Sequence, residues 1–447
     1  WKGLNAYYLH QDQIPDLADR RFNSDTELNN YLSNFNDPAT LFSSLLITED
    51  TKSIFVEDDS NLPVSGLRTS FTNGLEYGII KEPDTTQNVL AYITHILPNS
   101  DADSKSNIAR GNFFYAVDDV QLTEENYLDI LLNGKDSLKL KMAEFDGENL
   151  IRDTDSVEIL KKAYNHEPIF INKVFPAIST GYLMYNNDFS ENYINDLNNV
   201  FLEFKNQAAT KLILDLRYNI GGGGFVKNIS EIAAMITGQF SDQVLLNETW
   251  NAKAQPWFLE NQPDSLQTKF PTQLNELTPI NHLQATAVYI ILNGNNYQGS
   301  SAIELLVNSL NPYIDVTLFG SQTFGNNTGS INLYNSIDYD EFRRSSNHNA
   351  ILQPIVLNFL NKDNETYSNG FAPEVQLCAY EDILNMGVLG EISDPLLNAV
   401  LNYIETGSTG ATGGCNPLEF EFLFNSTDSQ RPVDTGMFIT RDLPNTI

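Results

Sequence analysis

Leu212-Ile213-Leu214-Asp215-Leu216-Arg217-Tyr218-Asn219-Ile220-Gly221-Gly222-Gly223-Gly224 is the stretch whose reading decides the fold. A short apolar run ended by a cluster of glycines is the pattern of a strand buried on both faces, as in a parallel sheet. Ile229 to Ile236 then reads as a helix. The glycines therefore lie at a strand-to-helix turn, where backbone N–H groups can point at an anion or a developing oxyanion. A phosphate loop would carry a Lys-Ser/Thr pair, and none is present. A sharp turn with no ligand explains the same residues, and from this stretch alone both readings stay open.

The pattern repeats on either side. Gly181 to Tyr185 is a strand candidate, and Ser190 is the cap candidate for a following helix that places Tyr193, Ile194, Leu197, Val200, Phe201 and Phe204 on one face. Downstream come a strand at Ala287 to Leu292, a helix at Ala302 to Leu310 and a strand at Ile314 to Phe319. Asp394-Pro395 starts a further helix that runs to Ile404. Alternation of this kind predicts an α/β layer with crossover connections and a mixed sheet, α+β over the whole chain. Residues 68 to 148 read instead as a small β domain, with runs at Val89 to Ile93, Phe113 to Val117 and Leu138 to Lys141. The region before it is helical, with a boundary at Asn36-Asp37-Pro38. The expected division is 1–66 helical, 67–148 β domain, 149–406 α/β core and 407–447 tail. The tail is turn-rich with aromatic patches and is given no place in the fold.

The whole composition narrows the function classes. The 447 residues carry 26 basic and 58 acidic side chains, a net charge of −32. Such a surface repels phosphate backbones and excludes nucleic acid as the expected partner. No apolar run is long enough to span a membrane. The five histidines (His10, His95, His166, His282, His348) have no metal-ligand spacing, and Asp101-Ala102-Asp103 lacks the further ligands of a calcium loop, so neither a metal nor a cofactor is expected. Cys378 and Cys415 are read either as one disulfide, which implies an oxidising compartment, or as two free thiols. The chain opens at Trp1 without an initiator Met, which reads as a processed form with any export signal upstream.

Several motifs in order resemble the C-terminal processing peptidases, or tail-specific proteases, of the Bacteroidetes type. Leu214 to Asn219 with its glycines is similar to their "DLRxNxGG" signature, and Gly320-Ser321-Gln322-Thr323-Phe324-Gly325 to their "G-x-x-T-x-G-K". Asn308 to Tyr313 resembles the end of the helix that bears their nucleophile. Residues 74 to 145 resemble the family's PDZ domain through Leu97-Pro98-Asn99-Ser100, Ala109-Arg110-Gly111 and Gln121-Leu122-Thr123. Trp1 to Asn5 fits its helical start, so the resemblance covers about residues 1 to 405.

The resemblance implies a serine nucleophile and a lysine general base, the lysine following the glycine of "T-x-G-K". Here Asn326 follows Gly325, and an amide has no useful basicity near neutral pH. Aligned on Asn308-Ser309-Leu310, the family's "S-A-S-E" falls on Ser301-Ala302-Ile303-Glu304, so the nucleophile position reads Ile303. Counted forward from the strand at Ala287, Ser300 or Ser301 lands near that place instead. An insertion is easier in the Asn293 to Gln298 loop than inside a packed helix, which favours Ile303. Lys227, just after the glycines, is the unexpected lysine to locate.

By resemblance, Gly221 and Gly222 floor the cleft, and Gly74-Leu75-Glu76-Tyr77 forms the loop that holds a peptide carboxylate. The expected function is that of a catalytically impaired relative that binds polypeptide C-termini or unfolded protein. The alternative is an active serine endopeptidase using Ser301 or Ser300. A purely structural module has only the acidic surface and the tail behind it. The expected setting is the periplasm, the cell envelope (lipid-anchored through an upstream segment) or the exterior. Oligomeric state is not read from the sequence.

Overall fold

The computed structural model describes residues 1–58, 69–83, 85–132, 135–145, 149–186, 189, 193–219, 224–275, 277–292, 299–336, 338–377, 381–410, 420–427, 436–441 and 443–444. Ser190, Gly221, Gly222, Cys378 and Cys415 lie outside them. The N-terminal region is short helices. Asp37 caps Pro38–Ser44, its carboxylate accepting the Thr40 N–H at 2.7 Å, which is the boundary that Asp-Pro predicts. Leu4, Tyr8, Leu17, Phe42 and Leu45 form a small core there with Ile355.

An antiparallel meander follows: β1 (Leu75–Lys81), β2 (Val89–Ile96), β3 (Phe113–Val117), β4 (Ser137–Phe145) and β5 (Leu150–Leu160). Side chains alternate across a sheet, and both faces here are covered. Ile79, Ala91, Phe114 and Leu140 line one core; Ile80, Leu90, Tyr92 and Phe113 line the other, closed by Ile383 and Met386. β4 and β5 pair from Ser137↔Leu160 to Phe145↔Leu150, so this sheet continues past residue 148.

The second layer holds six strands in the order β6 (Ile169–Phe175), β7 (Thr180–Tyr185), β8 (Lys211–Asp215), β9 (Ala287–Ile291), β10 (Asp315–Gly320) and β11 (Val375–Gln376). Only β6 and β7 are antiparallel; every other neighbouring pair is parallel. β8 is the apolar run quoted first, and Leu212, Ile213 and Leu214 are buried because parallel strands are covered on both faces. Helices α1 (Ile194–Asn206), α2 (Val226–Ile236) and α3 (Ser301–Leu310) share the main core on one side. Helix α4 (Pro395–Thr406) packs over Tyr182, Ile213, Ile291 and Phe319 on the other. Gly181 lets α1 lie close to β7: a Cβ there would stand 2.9 Å from the Phe204 ring.

The tail is part of both halves. β12 (Phe422–Asn425) adds antiparallel to β1, and β13 (Met437–Phe438) adds parallel to Thr328–Ser330 in a third sheet with Ile355–Asn361 and Val244–Trp250. Among the described residues no helix is long and apolar enough to cross a membrane.

Candidate active site

Ser300 is extended (φ −134°, ψ 164°) and α3 begins at Ser301, with all ten helix residues buried. Ile303 is fully enclosed in the main core, consistent with an apolar side chain on the inner face of the helix. The next residue, Glu304, turns to the loop after β10. Its Oε1 accepts the Gly325 N–H at 2.5 Å and its Oε2 accepts the Asn326 N–H at 2.8 Å. Burial raises the Glu304 pKa, and the Thr323 hydroxyl, those two N–H groups and the charge of Lys52 oppose the rise. The loop can approach so closely because Gly325 is left-handed (φ +89°); a Cβ would stand 2.5 Å from the Ser368 carbonyl oxygen and the Gly370 nitrogen.

The fold thus brings Ile303 and Asn326 to one end of α3, through Glu304. The Asn326 side-chain oxygen accepts the Thr328 hydroxyl at 2.8 Å, while its Nδ2 is buried with no partner among the described residues. The Ser300 and Ser301 hydroxyls are likewise buried without a described partner. Neither is hydrogen-bonded to a lysine or histidine among those residues. Lys227 stands on α2 with its side chain 58% exposed, 3.7 Å from Glu231. Lys52, from the N-terminal region, is the lysine whose charge reaches Glu304; its ammonium sits 6.0 Å above the Phe324 ring. The sequence reading missed Lys52, because nothing local connects residue 52 to residue 304. Gly224, the last of the glycine run, packs against Ala302, with its would-be Cβ 3.6 Å from that methyl.

The Asp-Leu-Arg run has a structural office that its spacing did not disclose. Arg217 is buried beneath the sheet and donates to Asp215 (2.6 Å), Glu381 (3.0 Å) and Asp394 (3.0 Å). Asp394 also caps α4 through the Leu396 N–H at 3.1 Å. Arg110, from the loop between β2 and β3, donates to Glu381 at 2.5 Å and to the Tyr218 hydroxyl oxygen, and Tyr218 in turn donates to Glu381. Burial would raise the Glu381 pKa, but Arg110 and Arg217 hold it below the ordinary carboxylate range. His95 on β2 stacks on Tyr218 with ring centres 4.6 Å apart. The β domain and the α/β core are therefore joined by a buried ionic cluster. Gly74 to Tyr77 lie at the start of β1, a second place on the chain.

A serine attacks a carbonyl only when a neighbouring group takes its proton.

Residues 179–375 match the model of peptidase family S41. That stretch is similar to the S41 peptidase domain. A solved structure from Bacteroides fragilis NCTC 9343, described as an S41 protease, superposes with a TM-score of 0.67 at 20% identity, covering 90% of this chain and 96% of its own. The fold is therefore that of S41 proteases. A photosystem II D1 C-terminal processing protease covers 85% of this chain and 91% of its own at 15% identity and a TM-score of 0.43. No curated protein matches the chain.

Proposed function

We propose that the protein binds polypeptide through an S41 fold whose hydrolytic dyad has been lost. The observation that carries this reading is the loop at Asn326: Glu304 holds its backbone against α3, and the side chain there is an amide rather than an ammonium. Ile303, buried in the core, stands for the missing nucleophile. A base and a nucleophile lost together leave the cleft, its N–H groups and the β domain as the working parts. That domain is proposed as a PDZ-type module that takes a peptide as an added strand, and the partners are polypeptide C-termini or unfolded protein. The proposed setting is the periplasm, cell envelope or exterior.

The second reading, a serine endopeptidase acting near polypeptide C-termini, is favoured by the buried hydroxyls of Ser300 and Ser301 at the start of α3, which have no partner among the described residues. Lys52, whose charge reaches Glu304 on the same helix, is the lysine to test beside them. Incubation with an unfolded protein substrate and with a serine-directed phosphonate separates the two. The expected result is no cleavage and no labelling. Turnover that disappears in Ser301→Ala or Ser300→Ala, and in Lys52→Ala, would overturn the non-catalytic reading.

A further inference from the structure

The outer edge of β1 is where a PDZ-type sheet would receive a peptide, and in this chain that edge is filled. β12 runs antiparallel along it with Phe422 opposite Ile80, Phe424 opposite Ile79 and Asn425 opposite Gly78. The Lys81 N–H donates to the Glu421 carbonyl at 2.9 Å, and the two side chains form an ion pair at 2.8 Å. Leu423 and Phe424 pack on one core of the sheet, Phe420 and Phe422 on the other. The segment's direction carries its C-terminal end toward Gly74 to Tyr77. There the Ser426 hydroxyl accepts the buried Tyr77 N–H at 2.9 Å and donates to Glu76 at 2.5 Å.

This end of the groove is made for a hydroxyl rather than a terminal carboxylate. The Gly74 N–H is taken by the Thr72 hydroxyl at 3.1 Å and the Leu75 N–H by the Asn73 side chain at 2.9 Å. Tyr77 offers the N–H that remains for an incoming oxygen, and the Glu76 carboxylate shares that point. A second carboxylate beside a buried Glu76 would meet like-charge repulsion in a poorly screened place. Beyond Ser426 opens a cavity of about 490 Å³ lined by Leu75, Tyr77, Phe114 and Leu138, with Lys161 and His166 among its polar lining. A larger apolar side chain in another strand would fill it.

We propose that the β1 edge is a docking site for internal polypeptide strands with aromatic residues at every second position and a hydroxyl-bearing residue two places after the last of them, as in Phe420, Phe422, Phe424 and Ser426. Residues 420–426 are its resident occupant, and a foreign strand gains the edge by displacing them. An intramolecular strand competes at the effective concentration that its tether sets, so the site is weak in the resting chain and strong when the tail is loosened. The inference rests on reading the β domain as a strand-binding module and is independent of whether α3 supports hydrolysis.

The test uses the full chain and a fluorescent peptide with the sequence of residues 420–426, acetylated and amidated, read by anisotropy. Leu423→Asp removes an apolar anchor of the resident strand and should tighten peptide binding at least tenfold over the parent. A cross-strand disulfide from Lys81→Cys and Glu421→Cys, in a Cys378→Ser, Cys415→Ser background, should abolish binding until it is reduced. Both positions of that pair are at the surface, so this arm stands even if Leu423→Asp fails to fold. The peptide with a free C-terminal carboxylate after its serine should bind several-fold more weakly than the amide, a difference that Glu76→Gln should remove. Equal binding to parent, loosened and locked chains would overturn displacement of the tail. Binding to none of them would overturn the strand site itself, and preference for the free carboxylate would return the site to C-terminal capture.

Discussion

Each oxygen of the Glu304 carboxylate takes a different N–H, Oε1 that of Gly325 at 2.5 Å and Oε2 that of Asn326 at 2.8 Å. Glutamine at 304 would keep one acceptor and turn an NH₂ toward the other N–H, leaving a buried donor unsatisfied. That costs about 1–3 kcal/mol, and the desolvation saved by removing a buried charge recovers part of it. Glu304→Gln should therefore lower stability by about 1 kcal/mol, seen as a lower urea midpoint with the slope unchanged. No change, or a gain, would show that the carboxylate is not what holds the loop. Ile303, Glu304 and Asn326 were singled out through the resemblance of two short motifs, and the contact between Glu304 and the Asn326 backbone joins those motifs. Lys52 and Tyr367, which both feel the Glu304 charge, were not singled out, since their proximity is made by the fold alone.

β8 and α4 are tied by one guanidinium. Arg217 follows β8, Asp394 caps α4, and Glu381 comes from the segment before that helix, so three elements converge on a fully buried cation. Taking the cation away leaves Asp215 and Asp394 out of water without their cationic partner, and Glu381 with Arg110 alone. Breaking a buried pair in this way costs about 3–5 kcal/mol. Arg217→Met should accordingly unfold at much lower temperature or fail to fold, and Arg217→Lys should fall between, keeping the charge but losing the planar fork. Thermal unfolding followed by circular dichroism checks this; a methionine variant within about 1 kcal/mol of the parent would contradict it. The elements themselves were readable where periodicity was strong, as in β8, α1 and α4. β12 was not: Phe422 to Asn425 is too short to show an alternation, and its partner is some 340 residues away, a pairing that only the sheet edge specifies.

At the scale of the molecule, the β domain and the core meet at His95, Arg110, Tyr218 and Glu381, and this joint responds to acid. Burial, with the nearby charge of Arg110, lowers the His95 pKa from 6.5 to about 3, while Glu381 opposes the shift. The folded state thus binds its proton less readily than the unfolded chain. Stability from this group is full above about pH 6.5 and is lost as pH falls toward 3, with a limiting slope of about 1.4 kcal/mol per pH unit for one proton. Other effects share the window. His282 is shifted the same way by burial, whereas neutralising carboxylates on a chain of net charge −32 relieves self-repulsion and acts oppositely. These are common to the parent and to His95→Phe, which keeps the stack on Tyr218 and removes the titration. Urea midpoints at pH 7, 5.5 and 4.5 should fall more steeply in the parent, the difference growing with acidity by up to one proton's worth. Parallel profiles for the two proteins would mean that His95 does not set the acid response of the joint. A parent that holds its stability to pH 4.5 while His95→Phe loses it would reverse the sign of the argument.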